Sequence, residues 1–250
     1  MRMLFIGDIY GEPGYQMLSE HLTDLKQKYR PNIIVINGEN ITNGRGIDKE
    51  TYLKCMKLGI HAITMGNWTW ANPELQEFIN ESKVIRPANF LHAPGVGYKK
   101  ININGKSILI INLLGRIFMN ANMENPFLVV DKILDENNAD YIFIDFHAEA
   151  TSEKIALGHY LDGRVDAVVG THTHIQTNDD RVLPKGTLYI TDVGMTGPLN
   201  GVIGVDKDIV ISRFINGHSK NNIIAAGKRQ LNGIFLDFNK KIIEKIHIED

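Results

Sequence analysis

Only one cysteine, Cys55, occurs in the 250 residues. That excludes an internal disulfide and a thiolate cluster, so any metal would sit among nitrogen and oxygen donors. An excess of one charge is also missing. The net charge is −2, with 43% hydrophobic and 22% charged residues. This balance leaves no basic footprint for long nucleic acid, which is not an expected partner. No apolar run approaches the roughly 18 residues that span a bilayer, so no membrane partner is expected either. The opening MRMLFIGD reads as a strand and lacks a signal-peptide cleavage pattern, which makes the cytoplasm the expected compartment. There is no low-complexity linker, internal repeat or long charge run, and one domain over residues 1–250 is expected.

What the chain does have is five short apolar runs that each end in a potential metal ligand. They read FIG-Asp8, IVING-Glu39-Asn40, ITMG-Asn67, IFIDF-His147 and AVVG-Thr171-His172-Thr173-His174. Runs rich in Ile, Val and Phe, most with Gly at the exit, are the pattern of buried parallel strands. Ligands gather at the carboxyl edge of such sheets. One such ending carries little weight, and NGEN or GN alone could be an ordinary turn. Five endings drawn from Asp, Glu, Asn and His point to a metal centre. His172 and His174, two apart, would point to the same side of an extended segment.

The order of elements is βαβαβα, then β-rich, then αβαβ, then β-rich again. A Gly11-Glu12-Pro13-Gly14 turn is expected to start a helix with Met17, Leu18, Leu22, Leu25 and Tyr29 at helical spacing, and further helices are expected near 48–58, from Pro73, and over 126–136 and 151–161. A hairpin is expected around Asn104-Gly105. Strands are expected at 187–191, 208–215, 233–238 and 242–248. This order predicts an α/β fold with two sheets packed face to face and helices outside.

Two carboxylates and three histidines exceed the needs of one tetrahedral zinc and suit a pair of first-row metals. Two such ions clamp both ends of an in-line displacement at phosphorus. GDIYGEPG, INGEN, TMGN, a lone His, and the long DFHAEATSEKIALGHYLDGRVDAVVGTHTH resemble the ordered motifs of the calcineurin-like metallophosphoesterases, in the YmdB-like bacterial phosphodiesterase branch. The resemblance covers nearly the whole chain. It implies a four-layer α/β/β/α sandwich, and a first metal on Asp8, Glu39, Asn40 and His174. It implies a second metal on Asn67, His147 and His172, with Glu39 as the bridge. Iron or manganese would be the ions, with zinc also compatible. The implied activity is hydrolysis of phosphodiesters such as 2′,3′-cyclic nucleotides, by attack of a metal-bridging hydroxide. A homo-oligomer is compatible with the resemblance.

The chain departs from that pattern after its third strand. The family motif is G-N-H-T-W-D, and this chain has Gly66-Asn67-Trp68-Thr69-Trp70-Ala71. Trp68 stands where the resemblance places a histidine that protonates the leaving oxygen, and an indole cannot deliver that proton. The expected result is a metal-binding hydrolase weakened toward poor leaving groups. The alternative is a degenerate member that binds metal and nucleotide as a regulatory protein. A phosphomonoesterase, or a nuclease acting on RNA ends, is a third possibility. Arg45 and Arg116 are candidate phosphate contacts, and each is equally readable as a solvated loop residue. His61 and His92 are conceivable stand-ins for the acid, with structural roles the simpler reading. His21, His159, His218 and His247 read as structural or exposed, and Trp70 as a packing residue.

Overall fold

The computed structural model describes residues 1–90, 92–119, 123–217 and 221–250. The chain begins with β1 (Arg2–Ile6), β2 (Asp8–Ile9), α1 (Gly11–Tyr29), β3 (Ile33–Asn37), α2 (Lys49–Lys57), β4 (Ala62–Thr64), α3 (Leu75–Phe78) and β5 (Val84–Ile85). The middle holds β6 (Tyr98–Ile103), β7 (Lys106–Leu114), α4 (Pro126–Glu136), β8 (Tyr141–His147), α5 (Thr151–Tyr160) and β9 (Ala167–Thr171). The last part holds β10 (Arg181–Val182), β11 (Leu188–Ile190), β12 (Met195–Pro198), α6 (Lys207–Asn216), β13 (Arg229–Asp237) and β14 (Ile242–Glu249).

Two sheets result. The first runs β2-β12-β13-β1-β3-β4-β5, with β14 paired to β13. The second runs β10-β11-β9-β8-β7-β6. β1, β3, β4 and β5 are mutually parallel, as are β7, β8, β9 and β11. The β6–β7 hairpin turns at Asn104 and Gly105, both at positive φ (52° and 77°), as a two-residue hairpin of that twist demands.

Period-2 alternation explains how both faces of each sheet are filled. In β1, Met3 and Phe5 face the second sheet, while Leu4 and Ile6 face the helices. Between the sheets, Phe5 meets Phe143 with ring centroids 5.2 Å apart. On one outer face Met17, Leu18, Leu22 and Leu25 of α1 cover Leu4, Ile34 and Ile36. On the other, Val130 and Ile133 of α4 and Leu157 of α5 cover Leu109, Ile111, Ile144 and Phe146. The layers are therefore α/β/β/α. Among the described residues no helix is long and apolar enough to cross a membrane.

One expected strand is a helix. IVISRFI, within the expected strand 208–215, alternates like a β-strand yet forms α6. The Asp206 side chain accepts from the backbone N–H of Asp208 and Ile209, and Gly217 closes the helix in the left-handed region. Caps at both ends outweigh the β-branched composition. Three short strands, β2, β10 and β12, are not evident in the sequence. Two to four residues are too few to carry a period, and β12 carries Gly197 and Pro198.

Candidate metal centre

The parallel strands deliver their polar endings to one edge. The first sheet contributes the carboxylates and amides: Asp8 after β1, Glu39 and Asn40 after β3, and Asn67 after β4. The second contributes the histidines: His147 ends β8, and His172 and His174 follow β9. Close passage of the chain is required where the two meet. A Cβ on Gly66 would lie 2.2 Å from Glu39 Oε2 and 2.4 Å from His147 Nε2, so any side chain there would displace one of the two from its present position.

Three groups converge on His147 Nε2. Glu39 Oε1 lies at 3.0 Å, Asn67 Oδ1 at 3.1 Å and His172 Nδ1 at 3.0 Å. Donor atoms of Glu39, His147 and His172 all lie within 4.8 Å of one another, as a shared cation requires. Asp8 sits beside them, 4.0 Å from His147 Nδ1 and 3.8 Å from His174 Nε2. Asp8 Oδ1 and Asn40 Oδ1 are buried without a hydrogen-bond partner among the described residues. Such orphaned acceptors are costly unless a cation or a donor completes them.

Each histidine has one nitrogen occupied from outside. His147 Nδ1 meets Thr171 Oγ1 at 2.9 Å, and that hydroxyl donates onward to Asp145 Oδ1 at 2.7 Å. His172 Nε2 lies 3.0 Å from Glu149 Oε2. His174 Nδ1 lies 2.9 Å from the Ile203 carbonyl. These acceptors place the proton on the outward nitrogen, leaving a lone pair on the inward one. His147 Nε2 and His172 Nδ1 then face each other as two lone pairs 3.0 Å apart. That approach is repulsive unless a cation lies between them, so the donor set fits a metal.

The histidine segment is not extended. Thr171 ends β9, and His172 and His174 take φ of 108° and 67°. The two side chains therefore reach different groups instead of sharing a strand face. Left-handed φ at non-glycine residues stores about 1–3 kcal/mol each and marks functional segments. Here Asp192 holds the bend: it accepts from Thr173 N at 2.9 Å and pairs with Lys154 at 2.7 Å.

Burial dominates the electrostatics. It pushes Glu39 up to about 7 and raises Asp8 well above the usual carboxylate range, helped by Asp192 and Glu39 nearby. It also lowers all three histidines, His172 to about 4 with His147 adding to the shift. Both effects favour neutral forms in the metal-free site.

A cavity of about 400 Å³ opens over this edge, lined by Glu39, Asn40, His172 and His174 on its polar side. Arg45 and Trp68 form part of its wall, with Tyr10, Ile203 and Val205 supplying apolar surface. Arg116 lies elsewhere, in a hollow with Phe127 and Glu153, because Glu153 ties down the backbone N–H of Arg116 and Ile117. His61 Nδ1 accepts from Ile34 N, and neither it nor His92 lines the cavity. His247 bonds Asn232 and Glu249. Trp70 packs against the helix-side core, and His218 lies outside the described residues.

Sequence reasoning missed Asp145, Thr171, Glu149, Asp192 and Lys154. Asp145 had a signal: a carboxylate inside the buried run IFIDF must be satisfied by something, here Thr64, Asn37 and Thr171. Lys154, on an ordinary-looking helix, had none.

A two-sheet sandwich with carboxylates, amides and histidines meeting at one edge is the architecture of the metallophosphoesterase class. The chain belongs to the YmdB-like protein family, whose family model matches residues 4–250. It is 48% identical over 253 residues to the 2′,3′-cyclic-nucleotide 2′-phosphodiesterase of Bacillus subtilis (strain 168), covering 100% of this chain and 96% of that one. A solved structure of a hypothetical protein from Thermus thermophilus superposes with a TM-score of 0.96 at 40% identity, covering 100% of both chains. A novel phosphatase of Mycoplasma pneumoniae gives 0.93 at 36% identity, covering 100% of this chain and 93% of that one.

Proposed function

We propose that this protein is a metal-dependent phosphodiesterase of the cytoplasm, acting on small phosphodiesters such as 2′,3′-cyclic nucleotides. The observation that carries it is the convergence of Glu39, Asn67 and His172 on His147 Nε2, with His172 Nδ1 at 3.0 Å, beside the orphaned oxygens of Asp8 and Asn40. The activity named for the Bacillus subtilis relative supports the substrate class. Asp8, Glu39, Asn40 and His174 would hold one ion, and Asn67, His147 and His172 a second, with Glu39 shared. First-row ions, iron or manganese with zinc also compatible, supply Lewis-acid charge and activate water when bound.

The chain's own residues then orient and bind. Thr171, Glu149 and the Ile203 carbonyl fix the histidine tautomers, and Asp192 fixes the bend that carries them. Trp68 offers no proton, so the leaving oxygen departs without help from that position. Loss of a general acid costs about 10²–10⁴-fold in rate. A regulatory protein that binds metal and nucleotide without turnover is the second reading, favoured by Trp68 and Ala71 together.

Hydrolysis of a nitrophenyl phosphodiester and of a 2′,3′-cyclic nucleotide with Mn²⁺, in the parent and in Trp68→His, separates the two. Nitrophenolate leaves unprotonated, so turnover of that substrate by the parent is expected. Trp68→His is expected to raise the rate on the cyclic substrate. A parent that holds metal and turns over neither substrate sinks the enzymatic reading.

A further inference from the structure

Among the described residues lining the cavity, Arg45 is the only lysine or arginine. Its turn is tied to the site: Arg45 N donates to Thr42 O at 3.0 Å, Gly46 N donates to Glu39 O, and Asn40 Nδ2 donates to Gly44 O at 2.9 Å. The guanidinium carbon lies 4.2 Å from the centroid of the Trp68 ring. Among the described residues, no carboxylate or carbonyl takes a hydrogen bond from that guanidinium. The acids on the same wall are engaged elsewhere. Glu39 accepts from Trp68 N at 3.1 Å and meets His147, and Glu149 meets His172.

We propose that Arg45 is the phosphate-binding residue of this site, and that Trp68 is the positioning residue that holds it. A guanidinium held over an aromatic face engages the ring through its charge and leaves N–H donors for the fork that matches two phosphoryl oxygens. The ligand is the phosphoryl group of a phosphate ester, bound between the metal-ligand edge and Arg45. The residue that replaces the family's histidine thus contributes a fixed cation where a proton donor is absent. The proposal rests on the phosphodiesterase reading for the identity of its ligand.

The test uses the metal-loaded protein and inorganic phosphate, titrated calorimetrically, with metal content measured for every variant. Arg45→Met keeps the stem and removes the charge; it is expected to weaken phosphate about tenfold or more at unchanged metal content. Arg45→Lys keeps the charge without the fork and is expected to recover part of the loss. Trp68→Leu leaves the charge but frees it, and a loss of about threefold is expected. The KM for a nitrophenyl phosphodiester is expected to rise in step. Phosphate affinity in Arg45→Met within twofold of the parent overturns the assignment, as does a parent that binds no phosphate. If the parent hydrolyses the diester while Arg45→Met binds phosphate normally, only this inference fails. If the parent never turns over while Arg45→Met still loses phosphate, the enzymatic reading fails and this one stands.

Discussion

Lys154 Nζ lies 2.7 Å from Asp192 Oδ2, and both side chains are sealed from solvent at 1% and 0% exposure. Asp192 also accepts from Thr173 N and Gly194 N, so the pair joins α5 to the bend that carries His172 and His174. Removing one partner of a buried pair strands the other charge and costs about 3–5 kcal/mol. Lys154→Met is therefore expected to lower the unfolding free energy by several kcal/mol and to reduce metal content. Urea unfolding and metal analysis check this; a change below about 1 kcal/mol would mean that the pair does not clamp the bend.

Thr171 stands between Asp145 and His147. Thr171→Val preserves shape but removes the hydroxyl that His147 Nδ1 meets at 2.9 Å. Partners of this kind typically set about 10–100-fold of metal affinity. A loss in that range, with the fold intact by circular dichroism, is the expected calorimetric result. Unchanged affinity would show that the hydroxyl does not orient the ring.

Gly66→Ala tests the crossing point of the two sheets. The new methyl would lie 2.2 Å from Glu39 Oε2, so the carboxylate must move away from His147. Metal content is expected to collapse while the two sheets persist, because the clash falls on side chains at their edge. A variant that still binds its full metal complement would contradict the close approach.

Metal affinity is expected to fall as pH drops below about 7, where Glu39 takes up a proton that the ion must displace. The slope reaches about tenfold per pH unit for one proton. His172 contributes little there, because burial and His147 hold it near 4. Stability of the metal-free protein responds with opposite signs. The raised Glu39 value gives a contribution present below its ordinary 4.5 and lost as pH rises through about 7. The lowered His172 value gives one present above its ordinary 6.5 and lost as pH falls through about 4. A titration of metal binding between about pH 5 and 8 separates these: a flat profile would rule out proton competition at Glu39.

Much of the fold is readable from the chain because it is local. Short, nearly unbroken apolar runs mark β1, β3, β8 and β9 as strands buried on both faces, and a polar residue just past such a strand can only lie at the sheet edge. Asp8, Glu39, Asn40, Asn67, His147, His172 and His174 can all be placed at that edge in this way, and Trp68 beside them. The failure at α6 has the same origin. In the sequence the β-branched run masks the Asp206 and Gly217 caps, whose effect depends on backbone geometry as well as composition.

Long-range contact decided the rest. Nothing in the sequence says that Lys154 meets Asp192 across 38 positions, that His172 and His174 turn apart at positive φ, or that Arg45 lies over Trp68. Chain pattern determines which face a residue occupies and at which end of a strand it stands. Which nitrogen of a histidine faces inward, and which aromatic ring a cation lies over, depends on atoms brought together only when the two sheets close on each other.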